Sequence, residues 1–138
     1  VEPGDLAHSS PLAERSIRFL SAGRNVLIHL QPGRDYGCEP AKLSRFLAEL
    51  TNTILGQHSP GGIAVAGGDT SSAVIDRLGF RSLSFVKRMG SGVAVCRGHA
   101  IDGAVCRTTL LLKGGQVGDV DLFDSYAAEA ANSRNLGC

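Results

Sequence analysis

The stretch Ile63-Ala64-Val65-Ala66-Gly67-Gly68-Asp69-Thr70-Ser71-Ser72 constrains this chain more than any other. Four apolar residues read as a short strand, two glycines as a sharp turn, and the hydroxyl-rich segment after them as the start of a helix. Such a turn aims the helix's unpaired N–H groups, and their partial positive charge, at whatever occupies it. An anion suits that position, most often a phosphate. Gly67 and Gly68 admit positive φ and close approach of a ligand. Asp69 suits the N-cap, and Thr70 and Ser71 add hydroxyls at the helix mouth. A purely structural reading stands beside this one: glycine for the geometry and Asp69 for the cap. The Asp69 carboxylate would repel a bare phosphate. Either it faces away as a cap, or a Mg²⁺ lies between it and the phosphate oxygens.

A second glycine turn, Lys113-Gly114-Gly115-Gln116-Val117-Gly118-Asp119, follows the strand Thr109-Leu110-Leu111-Leu112. Lys113 places a cation at a strand end, where it can meet a phosphate. The order matches neither G-x-x-x-x-G-K-[ST] nor G-x-G-x-x-G, so this turn by itself is a weak signal. Asp119 and Asp121 read as caps of a last helix before they read as metal ligands. In open α/β sheets ligands gather outside the carboxyl ends of strands, and both turns follow strands. Two turns converging on one edge would say more than either alone.

Elsewhere the pattern alternates strand and helix. Residues 1–10 are polar and read as a linker or frayed terminus. Pro11 opens a helix to about Ala22, with Ser10 as N-cap and Gly23 at its end. Val26, Leu27, Ile28 and Leu30 read as a buried strand, carrying His29 as a core histidine. Leu43, Phe46, Leu47, Leu50 and Ile54 recur at helical spacing from Pro40 to about Leu55. A further helix spans Thr70 to Leu78, ended by Gly79. These elements form a β-α-β-α series, which favours a parallel sheet with covering helices.

Leu83 to Met89, with Leu83, Phe85 and Val86 inward, then Gly90-Ser91-Gly92 and Val93 to Cys96, read as strand, turn and strand. Arg97 to Gly103 is a polar loop, and Val105 to Leu112 a further strand. Leu122, Phe123, Tyr126 and Ala127 set a last helix from about Asp121, followed by a tail at 132–138. The expected fold is a single α/β domain over 11–131. Its sheet is mostly parallel, has helices on both faces, and leaves room for an antiparallel hairpin at one edge.

Composition narrows the functions. A length of 138 residues with 43% apolar content supports one domain with a real core. A net charge of +1 gives no electrostatic case for nucleic acid or an anionic membrane. No apolar run approaches the roughly 20 residues of a spanning helix, and no signal peptide is visible. The four cysteines, Cys38, Cys96, Cys106 and Cys138, contain no C-x-x-C pair, so no zinc site is expected. Cys96 and Cys106 read as small buried residues in a reducing, cytoplasmic compartment. The histidines show no ligand spacing. Arg34, in a loop after a strand, is the scattered arginine best placed to touch a ligand.

The combination Ala66-Gly67-Gly68-Asp69-Thr70-Ser71-Ser72-Ala73-Val74, then Leu78-Gly79, then Leu112-Lys113-Gly114-Gly115-Gln116-Val117-Gly118-Asp119 with Phe123, resembles the C-terminal nucleotide-binding domain of the four-carbon acid sugar kinase family. The resemblance covers roughly Leu12 to Ala127. It is close in the first motif. In the second, Gly114 stands where Ser is usual and Val117 where Phe is usual. The stretch Gly90-Ser91-Gly92-Val93-Ala94 lacks the proline of the family's P-G-V-P segment.

The resemblance implies an ATP-dependent kinase for tetronate-type sugar acids, with Mg²⁺ on the phosphates. It implies nucleotide contacts from Gly67, Gly68, Asp69, Thr70, Gly114 and Gly115. It also implies an N-terminal domain of the same protein, absent from this chain, that holds the sugar acid. No catalytic residue is identified, and this chain alone would bind ATP or ADP without transferring phosphate. A domain separated from its partner can expose an apolar face and self-associate. Two other readings remain. One is a stand-alone, non-catalytic nucleotide- or anion-sensing α/β domain. The weaker one is another phosphate-handling enzyme, which would need a nucleophile or metal cluster that the residues do not display.

Overall fold

The structure, a computed structural model, describes residues 1–102 and 104–135. Four strands form one sheet: β1 (Gly62–Ala66), β2 (Ser82–Arg88), β3 (Val93–His99) and β4 (Val105–Lys113). Four α-helices accompany them: α1 (Ser10–Ser21), α2 (Pro40–Gln57), α3 (Gly68–Leu78) and α4 (Leu122–Asn135). The spatial order is β1-β4-β3-β2. As expected, the architecture is α/β. Its parallel component, however, is the single pair β1–β4, while β4–β3 and β3–β2 are antiparallel. The hairpin foreseen at an edge is therefore half of the sheet.

The reason lies in residues 25–30. Their apolar run reads as a strand but enters no ladder. Ile28 packs instead against the cluster of Ala13, Leu50 and Ile54 between α1 and α2, while Leu27 stays 75% exposed. Ile28 finds its apolar contacts there without strand pairing, and the expected first parallel partner of β1 is not built. His29 is exposed rather than a core residue; its carbonyl accepts from the N-terminal amine at 3.0 Å. Residues 1–10, expected as linker, include a one-turn 3₁₀ segment at Pro3–Leu6. The Tyr36 hydroxyl donates to the Val1 carbonyl at 2.7 Å, and Arg34 pairs with Glu2 at 3.5 Å.

β4 occupies the middle, and alternation along it serves both faces. Leu111 faces α4 and packs with Val93, Val95, Leu122 and Tyr126. Leu112, on the opposite face, packs with Val65, Val74 and Ala48 beneath α3 and α2. Leu110 and Leu111 are 1% and 0% exposed. Each contributes roughly 1.5–3 kcal/mol by leaving water. α3 packs on β1 and β4 and is itself covered by α2, while α4 crosses the other face. Helices thus lie on both faces, as expected. Among the described residues no helix is long and apolar enough to cross a membrane.

The edge strand β2 departs from its expected pattern. Phe85 is 67% and Val86 45% exposed. A register shift between Phe85 and Lys87 breaks the alternation, which is how a bulge turns side chains off the core. The Lys87 ammonium pairs with the Glu129 carboxylate of α4. β3 runs on to His99, so the polar loop is shorter than its composition suggested. His99 Nε2 lies 2.8 Å from Ser84 Oγ across the β2–β3 pair. Cys38, Cys96 and Cys106 are free and half-buried; burial pushes the Cys96 thiol upward. Cys138, and the tail beyond 135, lie outside the described residues.

Two close approaches pin the helical layers to the sheet. A methyl at Gly98 would stand 2.5 Å from the Phe80 ring, and one at Gly62 would stand 2.5 Å from the Tyr126 hydroxyl. Gly98→Ala and Gly62→Ala are each expected to lower stability by about 1–3 kcal/mol in denaturant titrations. The Tyr126 hydroxyl donates to the Thr109 carbonyl at 2.8 Å. Burial raises the Tyr126 phenol, with the Thr109 hydrogen bond opposing. A raised folded value means that the folded state holds this proton more tightly than the unfolded chain does. Its stabilisation is complete below the ordinary phenol value near 10 and is lost as pH rises through the folded value. Tyr126→Phe should cost about 1 kcal/mol at neutral pH. It should also flatten the alkaline fall in stability, measured by denaturant melts across that pH range.

Candidate functional site

Three glycine-bearing turns meet at one end of the sheet. Ala66 pairs with Lys113 in the parallel ladder, and Val93 pairs with Lys113 in the antiparallel one. The carboxyl ends of β1 and β4 and the start of β3 are therefore neighbours. Between them lies an open groove of about 320 Å³. Gly68, Ser71 and Ser72 of α3 form one wall, Lys113 and Gly114 another, and Gly92 a third.

Gly67 makes the bend. Its φ of 106° lies in the region favouring glycine, and its N–H donates to the Lys113 carbonyl at 3.1 Å. That bond ties the first glycine turn to the strand end feeding the second. Gly67 is also the residue before α3, and no side chain caps the helix. The expected N-cap role of Asp69 is therefore not realised. The first intrahelical bond runs from the Ser71 N–H to the Gly67 carbonyl, leaving the turn before it with N–H groups directed outward. At Gly68 an added Cβ would meet nothing within 4 Å, so this wall is open.

The hydroxyls divide. Ser71 Oγ is buried and has no hydrogen-bond partner, although Ser71 lines the groove. Thr70 Oγ1 turns to Ser44 Oγ of α2, 3.5 Å away. Asp69 leaves the groove altogether and lines a second cleft between α2 and α3. The repulsion expected between this carboxylate and a phosphate is removed by direction.

Lys113 Nζ donates to the Gly115 carbonyl at 2.7 Å and stands 5.9 Å from the Phe123 ring centroid. The ammonium thereby closes its own loop. Val117 folds over that loop: a Cβ at Gly114 would approach its side chain to 3.3 Å, and one at Gly92 to 3.4 Å. The second turn is thus packed onto the β2–β3 turn through Val117. Among the described residues no group of three His, Cys, Asp or Glu side chains could hold a metal.

Of the six residues expected at the site, Gly68 and Gly114 line the groove and Gly67 shapes it. Gly115 accepts from Lys113 at the loop tip, Thr70 ties α3 to α2, and Asp69 faces the neighbouring cleft. Sequence reasoning placed the Ser71 hydroxyl at the helix mouth without naming it among the contacts, and it passed over Gly92. Gly92 carried a signal as a turn glycine directly before a strand. That the Ser71 hydroxyl is buried without a partner carried no signal, because its burial depends on how α3 meets the sheet.

Residues 13–123 match the family model of a nucleotide-binding C-terminal domain. Over 82 residues the chain is 34% identical to 3-oxo-isoapionate kinase of Paraburkholderia graminis, an alignment covering 59% of this chain and 17% of that protein. A Bordetella bronchiseptica domain of unknown function, solved with citrate as a domain-swapped dimer, superposes with a TM-score of 0.62 at 26% identity. That match covers 85% of this chain and 30% of the other. A Haemophilus influenzae protein of the same uncharacterised class superposes with a TM-score of 0.65 at 23% identity, covering 94% and 33%. The chain thus spans about a sixth of the curated kinase and a third of the solved chains. With a family model matched across the sheet, α3 and both glycine turns, the chain belongs to the nucleotide-binding C-terminal domains of the four-carbon acid sugar kinase family.

Proposed function

We propose that the groove binds the phosphates of ATP, and that the chain is the nucleotide-binding part of a cytoplasmic kinase acting on a tetronate-type sugar acid. The sugar acid would be held by an N-terminal domain of the same protein. The observation that carries this reading is Ser71 Oγ, buried without a partner at the uncapped start of α3. A buried hydroxyl lacking a hydrogen bond is costly, and a phosphate oxygen in the groove would satisfy it. The outward N–H groups of the first helical turn supply further donors, and Gly68 and Gly114 leave room for the phosphates to approach the backbone.

ATP fits these groups. Mg²⁺ would ride on the phosphates and water, as it commonly does, and would neutralise charge on the transferring group. The residues of this chain position the phosphates. Lys113 is the cation nearest to them, and its release from the Gly115 carbonyl would bring a charge into the groove.

That same Lys113–Gly115 bond favours a second reading. With its ammonium turned onto its own loop, the groove is a hydrogen-bonding cradle with little charge, which suits a non-catalytic nucleotide- or anion-sensing domain. Adding the sugar-acid-binding domain and assaying phosphoryl transfer separates the two. The kinase reading expects transfer; the sensing reading expects binding without turnover.

Calorimetry of the chain with ATP and Mg²⁺ should show one site. No binding by folded protein at millimolar nucleotide would overturn the proposal. Gly68→Val should abolish binding while leaving the melting transition in place, because Gly68 lines the groove and a Cβ there meets nothing within 4 Å. Ser71→Ala should weaken ATP by about fivefold, the value of one hydrogen bond near 1 kcal/mol.

A further inference from the structure

The groove of about 320 Å³ opens beside a larger cleft of about 620 Å³ between α2 and α3, and Ser72 lines both. We propose that this cleft takes the nucleoside of the bound nucleotide, so that the ligand runs along α3 with its phosphates at the helix mouth. The inference rests on the nucleotide reading above and adds the direction in which the ligand lies.

Charge sets that direction. The cleft carries the carboxylates of Glu49, Asp69 and Asp76 against the guanidinium groups of Arg45 and Arg77. Three negative charges against two positive make it a poor place for a polyphosphate. The phosphates belong instead in the groove, where N–H groups and Lys113 gather and no carboxylate side chain forms the lining. A nucleoside is uncharged and rich in O–H and N–H donors. Carboxylates are acceptors for such groups. Glu49 is bound by Arg77 at 2.7 Å, whereas Asp69 and Asp76 have no ion-pair partner among the described residues. The order along the helix fits. Asp69 lies in the first turn beside the phosphates, where a ribose would be. Asp76 lies seven residues on, about 10 Å along the axis, where a base would be.

The shape agrees with the chemistry. Asp69, Ser72, Ala73 and Asp76 fall three or four residues apart on one flank of α3. Ala48 of α2 and Ala73 of α3 give the cleft an apolar floor without bulk, and Ala48 is 3% exposed. Ligand pockets commonly combine such a floor with a few placed polar groups. The Thr70–Ser44 contact holds the two helices together at the junction between groove and cleft.

The test compares ATP with inorganic tripolyphosphate by calorimetry on the whole chain. Ala73→Leu fills the cleft from its floor. Ala41→Leu fills it from the exposed rim of α2, where folding is not at risk. Neither residue lines the groove. Both variants should weaken ATP about tenfold, a loss of some 1.4 kcal/mol, and leave tripolyphosphate unchanged. Asp69→Asn should narrow the preference for ATP over 2′-deoxy-ATP. If ATP affinity is unaffected, or falls in parallel with tripolyphosphate, the nucleoside is not in this cleft. Wild-type protein that binds tripolyphosphate as tightly as ATP overturns the nucleoside site while leaving the phosphate groove standing. Wild-type protein that binds neither overturns the nucleotide reading itself.

Discussion

The rest of the site depends on one backbone hydrogen bond, from the Gly67 N–H to the Lys113 carbonyl. It extends the parallel β1–β4 ladder by one step past Ala66 and into the turn. A residue with φ of 106° donates it, so the chain can leave the sheet and start α3 within one residue. Because of that bond, the start of α3 and the Lys113–Gly118 loop cannot shift independently. Two turns separated by more than forty residues become walls of one groove.

The central position of β4 supports that junction. Its alternating leucines hold α4 against one face of the sheet and the α3–α2 pair against the other. The site is thereby placed where rigid elements end, and only backbone turns project beyond them. This explains why glycines and backbone groups dominate the groove while charged side chains gather next door, between two helices. A cradle of N–H donors suits phosphate oxygens, and a helix-walled cleft with carboxylates suits a donor-rich neutral group.

Much of this was legible in residue order. The strand-turn-helix at Ile63–Ser72 falls where it was expected, because glycine, apolar and hydroxyl residues act over four or five positions. Helices α1, α2 and α4 begin within a residue or so of their expected starts, and Gly79 ends α3 in the left-handed conformation, φ 67°. The failures share a cause. The run at 25–30 has the composition of a strand, but a strand also needs a partner, and here only Ile28 packs, against the α1–α2 cluster, while Leu27 faces solvent. Phe85 and Val86 have the pattern of core residues, but a register shift at the sheet edge turns them to solvent. Asp69 has the chemistry of a cap, but Gly67 already holds that position.

By itself, then, the sequence determined the α/β class, the two glycine turns and the family, since these follow from local periodicity, backbone permissiveness and motif order. Tertiary structure decided which strands pair, that Gly92 joins the groove, that the Ser71 hydroxyl is buried, and that Asp69 lines the neighbouring cleft instead of the groove. Those outcomes depend on how distant segments share space. Local composition cannot encode them, because burial and direction are properties of the packed neighbours rather than of the residue.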